Sequence, residues 1–365
     1  MKFSRTAKVF VSVGAAATML VSCSSLNYYA QAAQGQLTLL SDARPIEDWL
    51  ADQNTNAKLK LRLATARQIR TFAVQELGLP DNNSYKNYAS LARPFVLWNV
   101  VATPELSLKP VQWCFPVAGC VSYRGYYSRE AASVYGRELR SEGNDVQVGG
   151  VPAYSKLGWF NDPLISTFIY YPDAELARLV FHELSHQVVY VQGDSQFNES
   201  FASAVEEAGV ERWLSAYGNQ SMRDNYIKFS ARKKEFLKLL LNCRSELEKI
   251  YDGKGSQAEK RAAKARQFQK LKDDYQLLKE SWGGFAGYDR FFAEPLSNAH
   301  LASIATYNDF IPAFRALLAR EQSFPRFYAA ARTLAELDKA ERHRQLKRLG
   351  ATLSGTNPVV TSAQQ

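Results

Sequence analysis

Cysteine and histidine are scarce in this chain of 365 residues, with four of each. So few ligating side chains exclude a multi-zinc scaffold, and so few cysteines exclude a disulfide-dense miniprotein. Any metal site must be built around very few residues. Glycine (20) and proline (13) are too sparse for a collagen-like or linker-dominated chain. No Ser- or Gly-rich linker divides the sequence, and no internal repeat is present. What is there is ordinary: 46% hydrophobic and 22% charged residues fit a soluble globular protein and exclude a disordered one. The length allows one large domain or two smaller ones, at roughly 150 residues each.

The net charge of +9 includes Lys2, Arg5 and Lys8, which precede the apolar stretch Val9–Leu20. At 12 residues that stretch is too short to span a bilayer, which needs about 20, but it fits the core of a secretory signal. Leu20-Val21-Ser22-Cys23 follows and resembles a bacterial lipobox. The resemblance implies a signal peptide over 1–22 and lipidation of Cys23. Ser24, where an Asp would favour inner-membrane retention, implies an outer-membrane lipoprotein facing the periplasm. The alternative is an ordinary signal cut near Ala30-Gln31-Ala32-Ala33. The mature chain has 343 residues and a net charge of +6. Cys114 and Cys120 could close a small loop in an oxidising compartment or stay reduced, because sequence does not fix their separation.

Helix signals run through Ala33–Leu77, with Pro45 near one start and Gly78 closing another helix. Phe95–Val121 turns to β-branched and aromatic residues, which predicts strands. Ser128–Glu142 reads as a helix, and Val146–Tyr154 and Ser166–Tyr171 as short strands. From Pro172 onward nearly everything is helical. The expected fold is α+β and predominantly helical, a small sheet among many helices.

Residues Arg223–Glu280 carry 16 Lys and Arg against 9 Asp and Glu, a local +7 that leaves the rest of the mature chain about neutral. Phe229, Lys233, Phe236, Leu240, Cys243, Leu247 and Ile250 alternate at four and three residues, as do Phe268, Leu271, Tyr275, Leu278 and Trp282. Gly253–Ser256 supplies a turn between them. The pattern predicts a helical hairpin over about 223–282 with Cys243 in its apolar seam. Interleaved acids and a periplasmic address argue against nucleic acid as a partner.

The decisive segment is Phe181-His182-Glu183-Leu184-Ser185-His186. His182 and His186 lie one helical turn apart on one face, about 6 Å between Cβ atoms, so both can reach one zinc ion at about 2.0–2.1 Å. Glu183, rotated about 100° around the helix, stands beside the ion as a general base for water activated by zinc. Phe197-Asn198-Glu199-Ser200-Phe201-Ala202 follows. Five residues of continued helix beyond His186, a turn at Gln192-Gly193-Asp194 with Asp194 as cap, and five residues back would set Glu199 level with His186. Two histidines and a glutamate leave the fourth zinc position open for water.

These two segments resemble those of the gluzincin metallopeptidases, whose Asn-Glu-Gly-Phe-Ala element contributes the third zinc ligand. The spacer of 12 residues between His186 and Glu199 is shorter than theirs. A closer resemblance, over nearly all of the mature chain, is to the aminopeptidase lipoproteins predicted in Gram-negative bacteria. It rests on Phe115–Val121 with Tyr123-Arg124-Gly125-Tyr126, on Gly158-Trp159-Phe160 with Asp162-Pro163-Leu164, and on the zinc segment. The resemblance implies a zincin-like peptidase domain over 23–350, with a flexible tail over 351–365.

Other residues are weaker candidates. Ser203 could orient a ligand imidazole or simply pack. Glu206 and Glu207 lie too far along the helix to ligate beside Glu199, and could bind a substrate amine or stand in solvent. Tyr126, Tyr127, Tyr307 and His300 are candidate donors to a developing oxyanion. Arg124 could hold a peptide carboxylate or form an ion pair, and His343 reads as exposed. Gly158–Thr167 could supply an edge strand for an extended peptide. The expected activity is therefore peptide hydrolysis with one Zn2+ held by His182, His186 and Glu199, by an aminopeptidase lipid-anchored at Cys23. An envelope endopeptidase, or an idle zinc-binding lipoprotein that binds a partner, are the alternatives.

Overall fold

A computed structural model describes residues 28–115, 119–153, 161–302, 304 and 310–354. The lipobox, Cys23, Tyr307, Gly158-Trp159-Phe160 and residues 355–365 of the tail lie outside them. The described part is predominantly helical, with small sheets. Its helices are α1 (28–41), α2 (Ile46–Ala51), α3 (Ala57–Gln75), α4 (Arg129–Ser141), α5 (Asp173–Ser185), α6 (Ser195–Tyr217), α7 (Gln220–Asp252), α8 (Gln257–Ser281), α9 (Asn298–Ala302), α10 (Ile311–Glu321), α11 (Phe324–Glu336) and α12 (Lys339–Ser354). None of the described helices is long and apolar enough to cross a membrane.

The strands are β1 (Arg44–Pro45), β2 (Asn87–Ala89), β3 (Leu97–Pro104), β4 (Trp113–Phe115), β5 (Gly119–Val121), β6 (Arg124–Tyr126), β7 (Asn144–Val151) and β8 (Leu164–Ile165). The long strands β3 and β7 pair antiparallel from Leu97↔Val151 to Pro104↔Asn144, and β6 flanks β3 on its other side. β1, β2 and β8 form a second, mixed sheet, and β4 and β5 form a ribbon. In that ribbon Cys114 is directly opposite Cys120, and the two are joined by a disulfide. This decides between the two states that spacing left open.

Ser166–Tyr171 is not a strand. The pairing with β2 stops at Ile165, and the chain coils into turns, with the amides of Phe168 and Ile169 bonded back to the Ile165 carbonyl. The β-branched and aromatic content serves burial instead: Phe168 and Ile169 are fully enclosed. This is a case of tertiary packing overriding strand propensity.

The main core is built from α3, α5, α6, α10 and α11, through Leu63, Ile69, Phe181, Phe197, Phe201, Phe314 and Phe327. Close approach of α5 and α6 depends on Gly209, where a Cβ would stand 2.8 Å from the ring of Phe181 and from Leu77. A Gly209→Ala change would therefore push apart the two helices that carry the candidate site. A second core lies between α7 and α8, where Phe236, Leu240, Cys243 and Leu247 meet Phe268, Leu271 and Tyr275. Burial pushes the Cys243 thiol up to about 11, so it is an inert packing group. The α7–α8 pair is anchored to the sheet: Lys264 on α8 bonds Asp145 at 2.6 Å and the Glu105 carbonyl at 2.8 Å.

Candidate metal centre

α5 starts after Pro172 with Asp173 and Glu175 in its first turn, where carboxylates complement the helix dipole. One face of it, Leu176, Val180, Phe181 and Leu184, is buried in the main core. His182 and Glu183 are left half-buried at its edge, and His186 is the C-cap.

The helix does not continue past His186 as the spacing argument assumed. The Gln187 and Val188 amides bond the Leu184 and Ser185 carbonyls, tightening the chain into a turn. Asn198 explains the tight return. Its side chain accepts from the Val191 amide and donates to the Val191 carbonyl, both at 2.8 Å, so the loop is pinned to α6. Asp194 caps α6 by accepting from the Phe197 amide, as the sequence suggested. Asp194 is itself buried and bonded to Arg342 and His343 of α12, each at 2.9 Å. His343 is thus a half-buried partner of that cap rather than an exposed residue.

α6 then delivers Glu199. The His182 and His186 Nε2 atoms are 3.2 Å apart. Glu199 Oε2 lies 3.2 Å from His182 Nε2, and its Oε1 lies 3.8 Å from His186 Nε2. Two ligands at about 2.0–2.1 Å from a tetrahedral zinc stand about 3.3 Å from each other. The three side chains therefore fit one zinc ion. Among the described residues they form the group of His, Cys, Asp or Glu side chains arranged to hold a metal.

Glu206 is the residue whose role the sequence hid. Its carboxylate takes the other ring nitrogen of His182, Nδ1, at 2.8 Å, and Arg178 holds it from the far side at 3.2 Å. α6 returns along α5, so a residue seven positions past Glu199 meets the imidazole one turn before His186. Glu206, not Ser203, holds that imidazole. Burial works against the charge of Glu206, but Arg178 and His182 overcome it and hold its carboxyl down to about 2. An acceptor at Nδ1 fixes the tautomer that presents the Nε2 lone pair to a metal. His186 Nδ1, by contrast, is buried without a hydrogen-bond partner. Among the described residues, that ring has polar neighbours only on its Nε2 side, at His182 and Glu199.

Burial and the charge of Glu199 push Glu183 up to about 7, against the pull of His182. Two tyrosines that the sequence did not single out for catalysis feel the same carboxylates. The charge of Glu199 raises both Tyr123 and Tyr190, although each ring is more than a third exposed. Of the oxyanion donors considered from sequence, the three among the described residues have other partners. Tyr126 packs in the sheet core, Tyr127 bonds Gln36 at 2.8 Å, and His300 is bonded to Ser297. Arg124 is sandwiched between the rings of Tyr28 and Tyr135, at 4.0 and 4.6 Å. Glu207 points outward to Arg315.

The family model described as "Putative aminopeptidase" matches residues 27–346. The chain belongs to this family. The match takes in α5 and α6, so all three clustered residues, Glu183 and Glu206 lie within it. No curated protein and no solved structure matches the chain.

With no metal, burial opposes a charge on His182, but hydrogen bonds to Glu199 and Glu206 push it up to about 10. His186 is pushed down to about 4 by burial and by the neighbouring charge of His182. Near neutral pH the pair thus holds one proton where a cation would sit. A metal must displace it, so apparent zinc affinity should rise about tenfold per pH unit between pH 5 and 9. Competition against a chelator at several pH values measures this. An affinity that did not change with pH would contradict the assigned ligands.

Proposed function

We propose that the protein is a zinc-dependent peptidase, an aminopeptidase, working in the cell envelope. The observation that carries this reading is the convergence of His182, His186 and Glu199 at tetrahedral spacing, with Glu183 beside them. A site serving only structure would need no such neighbour, and would close its fourth position with a protein ligand. When bound, the zinc would supply Lewis-acid polarisation of the scissile carbonyl and of the attacking water. Glu183, next to His182 in the chain, would accept a proton from the attacking water and return it to the leaving amine. Glu206 keeps His182 in register, and Asn198 and Asp194 hold the return loop that brings Glu199 in.

The zincin-like fold, the signal over 1–22 and the lipid anchor at Cys23 are part of the same proposal. The Cys114–Cys120 disulfide supports an oxidising compartment, as on the periplasmic face of the outer membrane. Purified protein lacking residues 1–23 should release arylamine from amino-acid arylamides, and a chelator should abolish this until zinc is restored. Cleavage of blocked internal peptides alone would make the enzyme an endopeptidase. Neither activity, with zinc bound, would make it a binding protein.

A further inference from the structure

The return loop that brings Glu199 in is held from the far end of the chain. Three side chains at the start of α12 converge on it. Lys339 Nζ donates to the Gly193 carbonyl at 2.9 Å, Arg342 Nε donates to Asp194 Oδ2 at 2.9 Å, and His343 Nε2 lies 2.9 Å from the same oxygen. Arg342 Nη1 continues to the Ala335 and Leu337 carbonyls, at 3.0 and 2.6 Å. One guanidinium therefore ties the loop to the junction of α11 and α12. Arg342 and Asp194 are both buried, where salt screens an ion pair little and each charge depends on the other.

The grip extends past the loop into α6. The Arg342 guanidinium stands 5.4 Å from the centre of the Phe197 ring, and the ring of His343 meets that of Phe310 edge-on at 4.8 Å. The Phe310 amide in turn donates to the Ser200 hydroxyl at 3.3 Å. Asp194, Phe197 and Ser200 thus meet α12 or its neighbour Phe310 on both sides of Glu199 in sequence. At 100° per residue, Glu199 is turned about 160° from Phe197 and about 100° from Ser200. The held face is the back of the helix, and the carboxylate leaves from another. Leu346 plants α12 itself in the main core. We propose that α12 belongs to the metal centre, with Arg342 and His343 as positioning residues that keep Glu199 where a metal needs it. This rests on the metal reading of His182, His186 and Glu199, and adds that metal affinity depends on a residue 148 positions from the cap it holds.

Zinc affinity of the full chain would be measured by competition with a chelator, beside a thermal melt of the metal-free protein. Arg342→Met takes the fork from Asp194. A loop that reaches its metal-binding arrangement a tenth of the time binds zinc about tenfold more weakly, and a loss of at least about that size is expected. Arg342→Lys keeps a charge for Asp194 without the fork, and should recover part of the loss. Leu247→Ala, in the core between α7 and α8, should lower the melt and leave zinc affinity unchanged. His343→Leu, at a half-buried position, should weaken zinc in the same direction and carries the test if Arg342→Met does not fold. In metal-free protein, hydrogen exchange across 191–199 should speed up in Arg342→Met. Parent-like zinc affinity in folded Arg342→Met, or in His343→Leu where that variant does not fold, would overturn the proposal and leave the metal centre standing. Unchanged exchange across the loop, or an equal loss of zinc affinity in Leu247→Ala, would do the same. A parent that binds no zinc would overturn both.

Discussion

Glu183→Gln should lower peptide hydrolysis by roughly 10²–10⁴-fold, the usual contribution of general acid–base catalysis. Gln keeps the size of the side chain but cannot accept a proton. Glu183 does not belong to the trio that would hold the ion, so zinc content and melting temperature should stay near the parent's. Substrate assay, metal analysis and a thermal melt on the same preparation separate the effects. Loss of zinc from this variant would mean that Glu183 is a ligand.

Glu206→Gln should do the reverse and damage the frame. The carboxylate is 3% exposed and bonded to both Arg178 and His182. Removing its charge leaves Arg178 with Glu175 alone and takes the strong acceptor from His182 Nδ1. Breaking a buried pair in this way costs about 3–5 kcal/mol, and losing the partner of a ligating imidazole lowers metal affinity about 10–100-fold. Glu207, its neighbour in sequence, pairs with Arg315 at the surface, so Glu207→Gln should change stability by no more than about 0.5 kcal/mol. The contrast is visible in chemical denaturation at neutral pH. It should fade in acid. Glu206 has a folded-state pKa of about 2 against an ordinary 4.5, so its charge contributes fully above about pH 4.5 and is lost as pH falls through about 2.

Legibility from sequence followed the range of the interaction. His182 and His186 are set by helical periodicity, and the α4 helix and the seam of α7 and α8 by local apolar spacing. Glu199 was reachable because Asp194 reads as a cap and a short loop limits where the chain can return. The path was still wrong in detail, since the helix stops at His186 and Asn198, rather than helix length, fixes the return. Glu206 was out of reach for a different reason. Its meaning depends on the packing of α6 along α5 at Gly209, which no periodicity encodes. His343 was misread in the same way, because its partner Asp194 is 149 positions away. Ser166–Tyr171 shows the limit of propensity, since buried turns and buried strands draw on the same residues.

The most direct test is zinc stoichiometry together with zinc-edge X-ray absorption on the purified parent and Glu199→Ala. The parent should hold one zinc per chain with nitrogen and oxygen neighbours at about 2.0–2.2 Å and no sulfur at about 2.3 Å. Glu199→Ala should lose most of its zinc, because one of three protein ligands is gone. A sulfur neighbour in the parent, or full zinc occupancy in Glu199→Ala, would contradict the assignment of His182, His186 and Glu199 as the metal centre.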